Sequence, residues 1–311
     1  MNSRPPASSF TPSTPVKSFE RTDYALYALT VVAWSASWFA IKHQVGVVSN
    51  EVNLVWRFVV ATLIMFAWVL ASGRQWRFPL SDHLRFAAQG VLMFSSNFLL
   101  FYYGALYLVS GLLSVVFALA SVINMLLAAS VMRETPSPRI LAGGLAGFSG
   151  VALMFWPEMA AHGISGQTTI GLLLCVAGTV SFCLGNLVSS SSQRRGLPLI
   201  SMNAWGMLYG TLWSTALALA LGRDFIIVPT VSYLGSLLFL SVVATVLAFA
   251  AYLTLLGRIG GARAGYATVM FPVFALIIST VFEGYVWTPW AIAGLLLVAA
   301  GNVLVIRAGK R

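Results

Sequence analysis

The sequence predicts an all-α integral membrane protein: ten transmembrane helices, arranged as two inverted five-helix repeats around a central cavity. Three observations predict it. First, 59% of the 311 residues are apolar and 8% are charged, with a mean hydropathy of +0.88, whereas soluble domains carry about a quarter charged residues. Second, the apolar sequence falls into ten stretches near the ~20 residues that a bilayer span requires. Third, the chain repeats itself. Ser137-Pro138, Gly143 and Gly150 return as Thr288-Pro289, Gly294 and Gly301 at an offset of 151 positions. Trp56 with Thr62-Leu63 likewise returns as Trp205 with Thr211-Leu212.

The elements follow in order. Residues 1–23 are rich in Ser, Thr and Pro, lack an apolar core and a cleavage site, and read as a disordered tail. The first repeat spans 24–156, with α1 near 24–42, α2 near 51–72, α3 near 84–105, α4 near 110–132 and α5 near 138–156. No charged residue stands between Phe86 and Met132. That stretch is too long for one span, so α3 and α4 are joined by a tight turn near Ser110-Gly111. The second repeat spans 157–307, with α6 near 168–190, α7 near 199–221, α8 near 231–256, α9 near 264–283 and α10 near 288–306; residues 308–311 close the chain. Cys175 and Cys183 lie eight apart on α6, roughly 12 Å along its axis, too far for a disulfide.

A net charge of +10 does not point to nucleic acid here, because the basic residues sort by side. Arg4, Lys17, Arg21, Arg74, Arg77, Arg85, Arg133, Arg139, Arg194, Arg195, Arg258, Arg263, Arg307, Lys310 and Arg311 fall on one face if the spans alternate. The other face has Lys42 and Arg223. By the positive-inside rule both termini are cytoplasmic and the bilayer is the inner membrane. Five spans per half is an odd number, so the repeats are inverted and meet near the midplane, as in secondary transporters.

Chemistry is sparse. Gly147-Phe148-Ser149-Gly150 has the form of an intramembrane serine protease motif, but His43, His83 and His162 all fall in loops or at helix ends, leaving no base for the serine. Close packing by small residues accounts for the run better. No P-loop, catalytic set, metal site or cofactor motif is present in the sequence. Intramembrane acids mark ion coupling, and here only Glu134 and Glu283 approach the spans, at the ends of α4 and α9. Each serves either as a helix-end partner of a neighbouring Arg or Lys or in a gate or ion-coupling role. Arg57 lies well inside α2. It either attracts a substrate carboxylate, pairs with Glu51 or Glu283 in an outer gate, or snorkels to the interface. Pro272, about ten residues into α9, is a candidate hinge because proline removes a backbone hydrogen bond and bends the helix.

The other polar groups within spans are uncharged: Ser35 and Ser37, Asn97, Ser121 and Asn124, Ser181 and Asn186, Thr245 and Thr268. Singly, each is accounted for by interhelical hydrogen bonding. Together with Trp34, Trp38, Tyr102, Tyr103, Trp205, Tyr209, Tyr252 and Tyr266, they describe a weakly polar, aromatic interior suited to an apolar metabolite.

Ala33-Trp34-Ser35-Ala36-Ser37-Trp38-Phe39-Ala40-Ile41-Lys42, then Arg57-Phe58 with Ala61, resembles the first two helices of EamA-type members of the drug/metabolite transporter superfamily. Glu134, Ser137-Pro138, Gly143 and Gly150 in α4 and α5, and Pro272, Glu283, Thr288-Pro289, Gly294 and Gly301 in α9 and α10, extend the likeness over about residues 24–307. One departure is Ser121, which stands where the first repeat often carries the proline that Pro272 supplies in the second. Within that superfamily the chain looks like bacterial exporters of aromatic amino acids. The resemblance implies ten helices, a cavity lined mainly by α1, α3, α4, α6, α8 and α9, and export by alternating access.

The expectation is a carrier exporting small amphiphilic metabolites, chiefly aromatic or other apolar amino acids. Trp34, Trp38, Tyr102, Trp205 and Tyr266 would form apolar walls; Ser35, Asn97, Ser121, Asn124, Ser181 and Asn186 would supply polar contacts; Arg57, Pro272 and Glu283 would act as gate or hinge. The partners expected are a small-molecule substrate and the lipid bilayer, with neither nucleic acid nor an obligatory protein partner. A multidrug or other metabolite carrier of the same fold is the alternative, and an intramembrane enzyme is the reading from another class.

Overall fold

Ten helical spans follow one another in a computed structural model that describes residues 20–132, 138–162, 166–259 and 267–308. They are α1 Arg21–Lys42, α2 Asn50–Ala71, α3 Leu80–Gly104, α4 in two pieces (Ser110–Phe117 and Ala120–Met132), α5 Pro138–His162, α6 Gln167–Gln193, α7 Leu199–Ala220, α8 Val231–Ile259, α9 Ala267–Phe282 and α10 Pro289–Ala308. Five described stretches, α1, α2, α3, α6 and Val231–Tyr252 of α8, are each long and apolar enough to cross a bilayer. Leu63, Leu145, Leu173, Leu212 and Leu296 are exposed on the outside of the bundle, the inversion of a soluble surface that lipid allows. Trp76, Trp287 and Trp290 are exposed near helix ends, where aromatic anchors belong.

Most of the tail, residues 1–19, lies outside the described residues, as do Glu134, Ser137, Tyr266 and residues 309–311.

Several local expectations change. Ser110 is the first residue of α4 and not part of the turn, because α3 already ends at Gly104 and the chain turns over 105–109. α4 is not continuous. It breaks at Ala118-Leu119, where the Leu119 amide bonds back three residues to the Val116 carbonyl at 3.1 Å. Two spans also widen into π-helical turns, Gly90–Ser96 in α3 and Phe239–Leu247 in α8. These are corresponding helices of the two repeats, and such bulges free backbone carbonyls for outside partners. Ser181 Oγ donates to Leu92 O at 2.8 Å and Trp34 Nε1 to Ala244 O at 3.1 Å.

The repeats meet along several helix pairs, and two of these join counterpart helices, α5 along α10 and α2 along α7. A Cβ on Gly150 would stand 2.5 Å from the Gly294 carbonyl oxygen, and a Cβ on Gly301 2.5 Å from that of Gly143. Only glycine permits this backbone approach. Since Gly143 corresponds to Gly294 and Gly150 to Gly301, the contact is isologous: each patch meets its own counterpart. Thr62 and Thr211, matched in the same way, touch each other with hydroxyl oxygens 3.5 Å apart. The Gly147 to Gly150 run is therefore a helix-packing surface. Ser149 is exposed, while His43 and His83 pair with Ser232 and Tyr209 at 3.0 Å.

A cavity between the repeats

A cavity of about 380 Å³ lies in the middle of the bundle and is lined by residues of α1, α2, α3, α4, α6, α7, α8 and α9. Its walls are aromatic because several helices turn rings toward one axis. Phe94, Phe98 and Phe101 recur at i, i+4 and i+7 on α3, one face of a helix. Phe117, the last residue before the break in α4, is the hub: its ring centroid lies 5.4 Å from Trp38, 5.7 Å from Phe101, 4.8 Å from Phe182 and 6.1 Å from Phe271. Trp34 completes the box, 5.2 Å from Tyr252 and 6.4 Å edge-on from Phe271. Such tilted and T-shaped pairs each contribute about 0.5–1.5 kcal/mol beyond burial, so the rings are held in place before any ligand arrives.

Polar atoms interrupt this lining at a few points. Asn97, Ser121, Asn124, Asn186 and Asn203 all line it. Arg57 lines it too and is buried, with 3% of its surface exposed. Its Nε and Nη2 donate to Thr245 Oγ1 at 3.4 and 3.2 Å, and the guanidinium carbon lies 4.3 Å from the Phe98 ring centroid.

The two ends of the cavity differ. Toward the face bearing both chain ends it reaches Gln193 and Leu199, the last residue of α6 and the first of α7, and Gln193 is exposed. Solvent can enter there. The opposite end is sealed by hydrogen bonds between helix ends. Glu283, just past α9, accepts from the Ser110 amide at 3.0 Å and from the hydroxyls of Ser110 and Ser279, and the Gly111 amide donates to Ser279 Oγ at 2.7 Å. A carboxylate and a hydroxyl thus satisfy two of the otherwise orphaned amides that open α4. Lys42 Nζ donates to the carbonyls of Ala105 and Leu108. Beside them Tyr102 donates to Gln44 and Tyr103 to Glu51, whose other oxygen lies 3.5 Å from Arg223 Nε.

Of the residues singled out from the sequence, Trp34, Trp38, Asn97, Ser121, Asn124, Asn186 and Arg57 come together at the cavity. Four do not line it, and their polar atoms are bonded elsewhere. Ser35 Oγ bonds the Val31 and Phe271 carbonyls, Tyr102 the Gln44 amide, and Ser181 the Leu92 carbonyl. Trp205 donates to Trp76 O at 2.9 Å and packs on His83 and Phe66. Pro272 is buried next to Phe271 within an unbroken α9, and Tyr266 lies outside the described residues. The two carboxylates considered for an Arg57 gate pair, Glu51 and Glu283, are bonded to other groups, and burial of Arg57 excludes snorkelling. Phe117, Phe182, Phe271 and Asn203 escaped the sequence reading. The α3 phenylalanine spacing is the one signal that could have pointed to such a wall.

The profile of the EamA-like transporter family matches the chain twice, over residues 23–156 and 169–307. An Archaeoglobus fulgidus protein described as an uncharacterized transporter is 25% identical over 288 residues, 91% of this chain and 98% of that protein. A probable terminal-alkyne amino-acid exporter of Streptantibioticus cattleyicolor is 26% identical over 283 residues, 90% of this chain and 91% of its own. One solved crystal structure superposes with a TM-score of 0.65 at 15% identity, covering 93% of this chain and 99% of that one, a likeness of fold alone.

Proposed function

We propose that this chain, which belongs to the EamA-like transporter family, exports small amphiphilic metabolites across the cytoplasmic membrane, above all aromatic and other apolar amino acids, by alternating access. The observation that carries this reading is the cavity itself: about 380 Å³, ringed by aromatic side chains with a few amides, sealed at one end and in contact with solvent at the other. That volume lies within the roughly 300–1,000 Å³ of small-ligand sites. Arg74, Arg77, Arg85, Arg194, Arg195 and Arg307 all fall at the end bearing the chain ends, which supports a cytoplasmic location for that end. The cavity then collects cargo from the cytoplasm and releases it when the seal at Glu283 opens and the other end closes. Nucleotide sugars fit poorly, since their phosphates would call for more cavity cations than Arg57. A multidrug carrier would accept the same rings, and the amino-acid exporter among the relatives favours the narrower reading.

No carboxylate lines the cavity among the described residues, so the cargo moves down its own gradient. Purified protein in liposomes should support counterflow of labelled phenylalanine or tryptophan with equal pH on both sides. Flux of neither, or flux only under an imposed pH gradient, would overturn this reading.

A further inference from the structure

We infer that Arg57 and Asn97 form a head-group site that takes the carboxylate and the amino group of an α-amino acid, while the aromatic box holds its side chain. This rests on the reading of the cavity as the cargo site and goes beyond it by naming the chemistry the cargo must present.

An arginine buried at membrane depth is costly unless it faces partners or a wet cavity. Among the described residues Arg57 has only neutral partners. Thr245 accepts two of its five N–H donors at 3.4 and 3.2 Å, the Tyr102 phenol is its other polar neighbour, and the Phe98 and Phe58 rings lie 4.3 and 5.4 Å from the guanidinium carbon. Its buried Nη1 has no hydrogen-bond partner. A buried charge without a fixed counter-ion, in a cavity open to solvent, is arranged for an anion that arrives and leaves. A guanidinium fork suits a carboxylate best. The fork is also held still: Thr245 donates to the Leu240 carbonyl at 2.7 Å inside the π-helical turn, which turns its lone pairs toward Arg57.

Asn97 supplies the complement. It precedes Phe98 on α3, and Asn97, Phe98 and Arg57 all line the cavity. Its Nδ2 donates to Met93 O at 3.2 Å. Only an amide nitrogen can donate to a carbonyl, so the orientation of the group is settled. Oδ1 is left buried and, among the described residues, without a partner, on a side chain that lines the cavity. One unused donor on a cation and one unused acceptor therefore belong to two side chains that line the same cavity, the pair of groups that the two ends of an α-amino acid require. Leaving either unmatched is costly in a buried site, so a ligand lacking one group is discriminated against.

Four ligands sharing one ring test this: phenylalanine, 3-phenylpropionate, phenethylamine and phenylalaninol, titrated into protein in lipid nanodiscs and read by tryptophan fluorescence. Phenylalanine should bind about tenfold or more tighter than the two compounds without a carboxylate. R57Q should erase that preference and R57K should keep part of it. N97L should instead erase the preference of phenylalanine over phenylpropionate. Thermal unfolding of each variant verifies folding, and R57K carries the test if R57Q does not fold. Equal binding of phenylalanine and phenethylamine by the unaltered protein, or unchanged selectivity in folded R57Q, would overturn the inference. Head-group selectivity without phenylalanine counterflow would sink the export reading alone, and absence of binding by all four ligands would overturn both.

Discussion

Glu283 and Lys42 hold the sealed end of the cavity with charges of opposite sign. The carboxylate caps the amide end of α4, and the ammonium caps carbonyls at the α3–α4 turn. Hydrogen bonds to a charged group are worth about 1.5–3 kcal/mol, enough for one substitution to weaken the seal. Glu283→Gln should therefore open the sealed end more often. The thiol introduced by Trp38→Cys should then react with a membrane-impermeant reagent from the sealed side about tenfold faster or more when Glu283→Gln is combined with it. Cys175 and Cys183 are buried and should stay unlabelled. An unchanged rate would remove Glu283 from the gate. At this scale the sequence identified groups by their cost: Arg57, Glu283 and the span amides stood out because polar atoms in lipid need a reason. It did not reveal the partners. That Tyr102 serves Gln44, or that Trp205 serves the Trp76 carbonyl, depends on which helices meet, and no local pattern encodes it.

At the scale of elements, α4 and α9 link the sealed end to the cavity wall. α4 and α9 are counterparts, and each carries a different irregularity near the cavity, a break in α4 and a proline within the unbroken α9. α4 breaks at Ala118-Leu119 without a proline, immediately after Phe117, while α9 carries Pro272 immediately after Phe271. Each device thus neighbours a ring of the box, so a pivot of either outer half would move a wall of the cavity together with the seal. Pro272→Ala should restore the missing backbone bond and stiffen α9. Turnover should fall several-fold at matched insertion, with a smaller change in substrate affinity; equal turnover would assign the proline to packing alone. The existence and order of all ten helices were legible because twenty-residue apolar runs are unmistakable. The π-helical turns in α3 and α8 were not, since their sequences are ordinary apolar helix formers. Their widening is answered from outside, by Ser181 and Trp34 on neighbouring helices.

At the scale of the molecule, the two halves are joined where glycine meets glycine. Gly150→Leu would drive a side chain into the Gly294 carbonyl, and overpacking of this kind costs about 1–3 kcal/mol. The melting temperature in detergent should fall. Gly235→Ala should leave it unchanged or raise it, because a Cβ there meets nothing within 4 Å. A melting temperature unaffected by Gly150→Leu would refute the packing role of this contact. The duplication was visible in the sequence through these same glycines, since the spacing that packs one repeat packs its copy. The isologous contact has a further consequence for descent. A free half-length chain would be self-complementary with a copy inserted upside down, and any cation on its cavity wall would face its twin across the two-fold axis. Fusion of two such halves lets the copies diverge. Here the counterpart of Arg57 is Gly206, so among the described lining residues the wall carries one charge, where two identical halves with arginine at this position would carry two. The loss of symmetry gives the cavity a head and a tail, and with them a preferred orientation for whatever it carries.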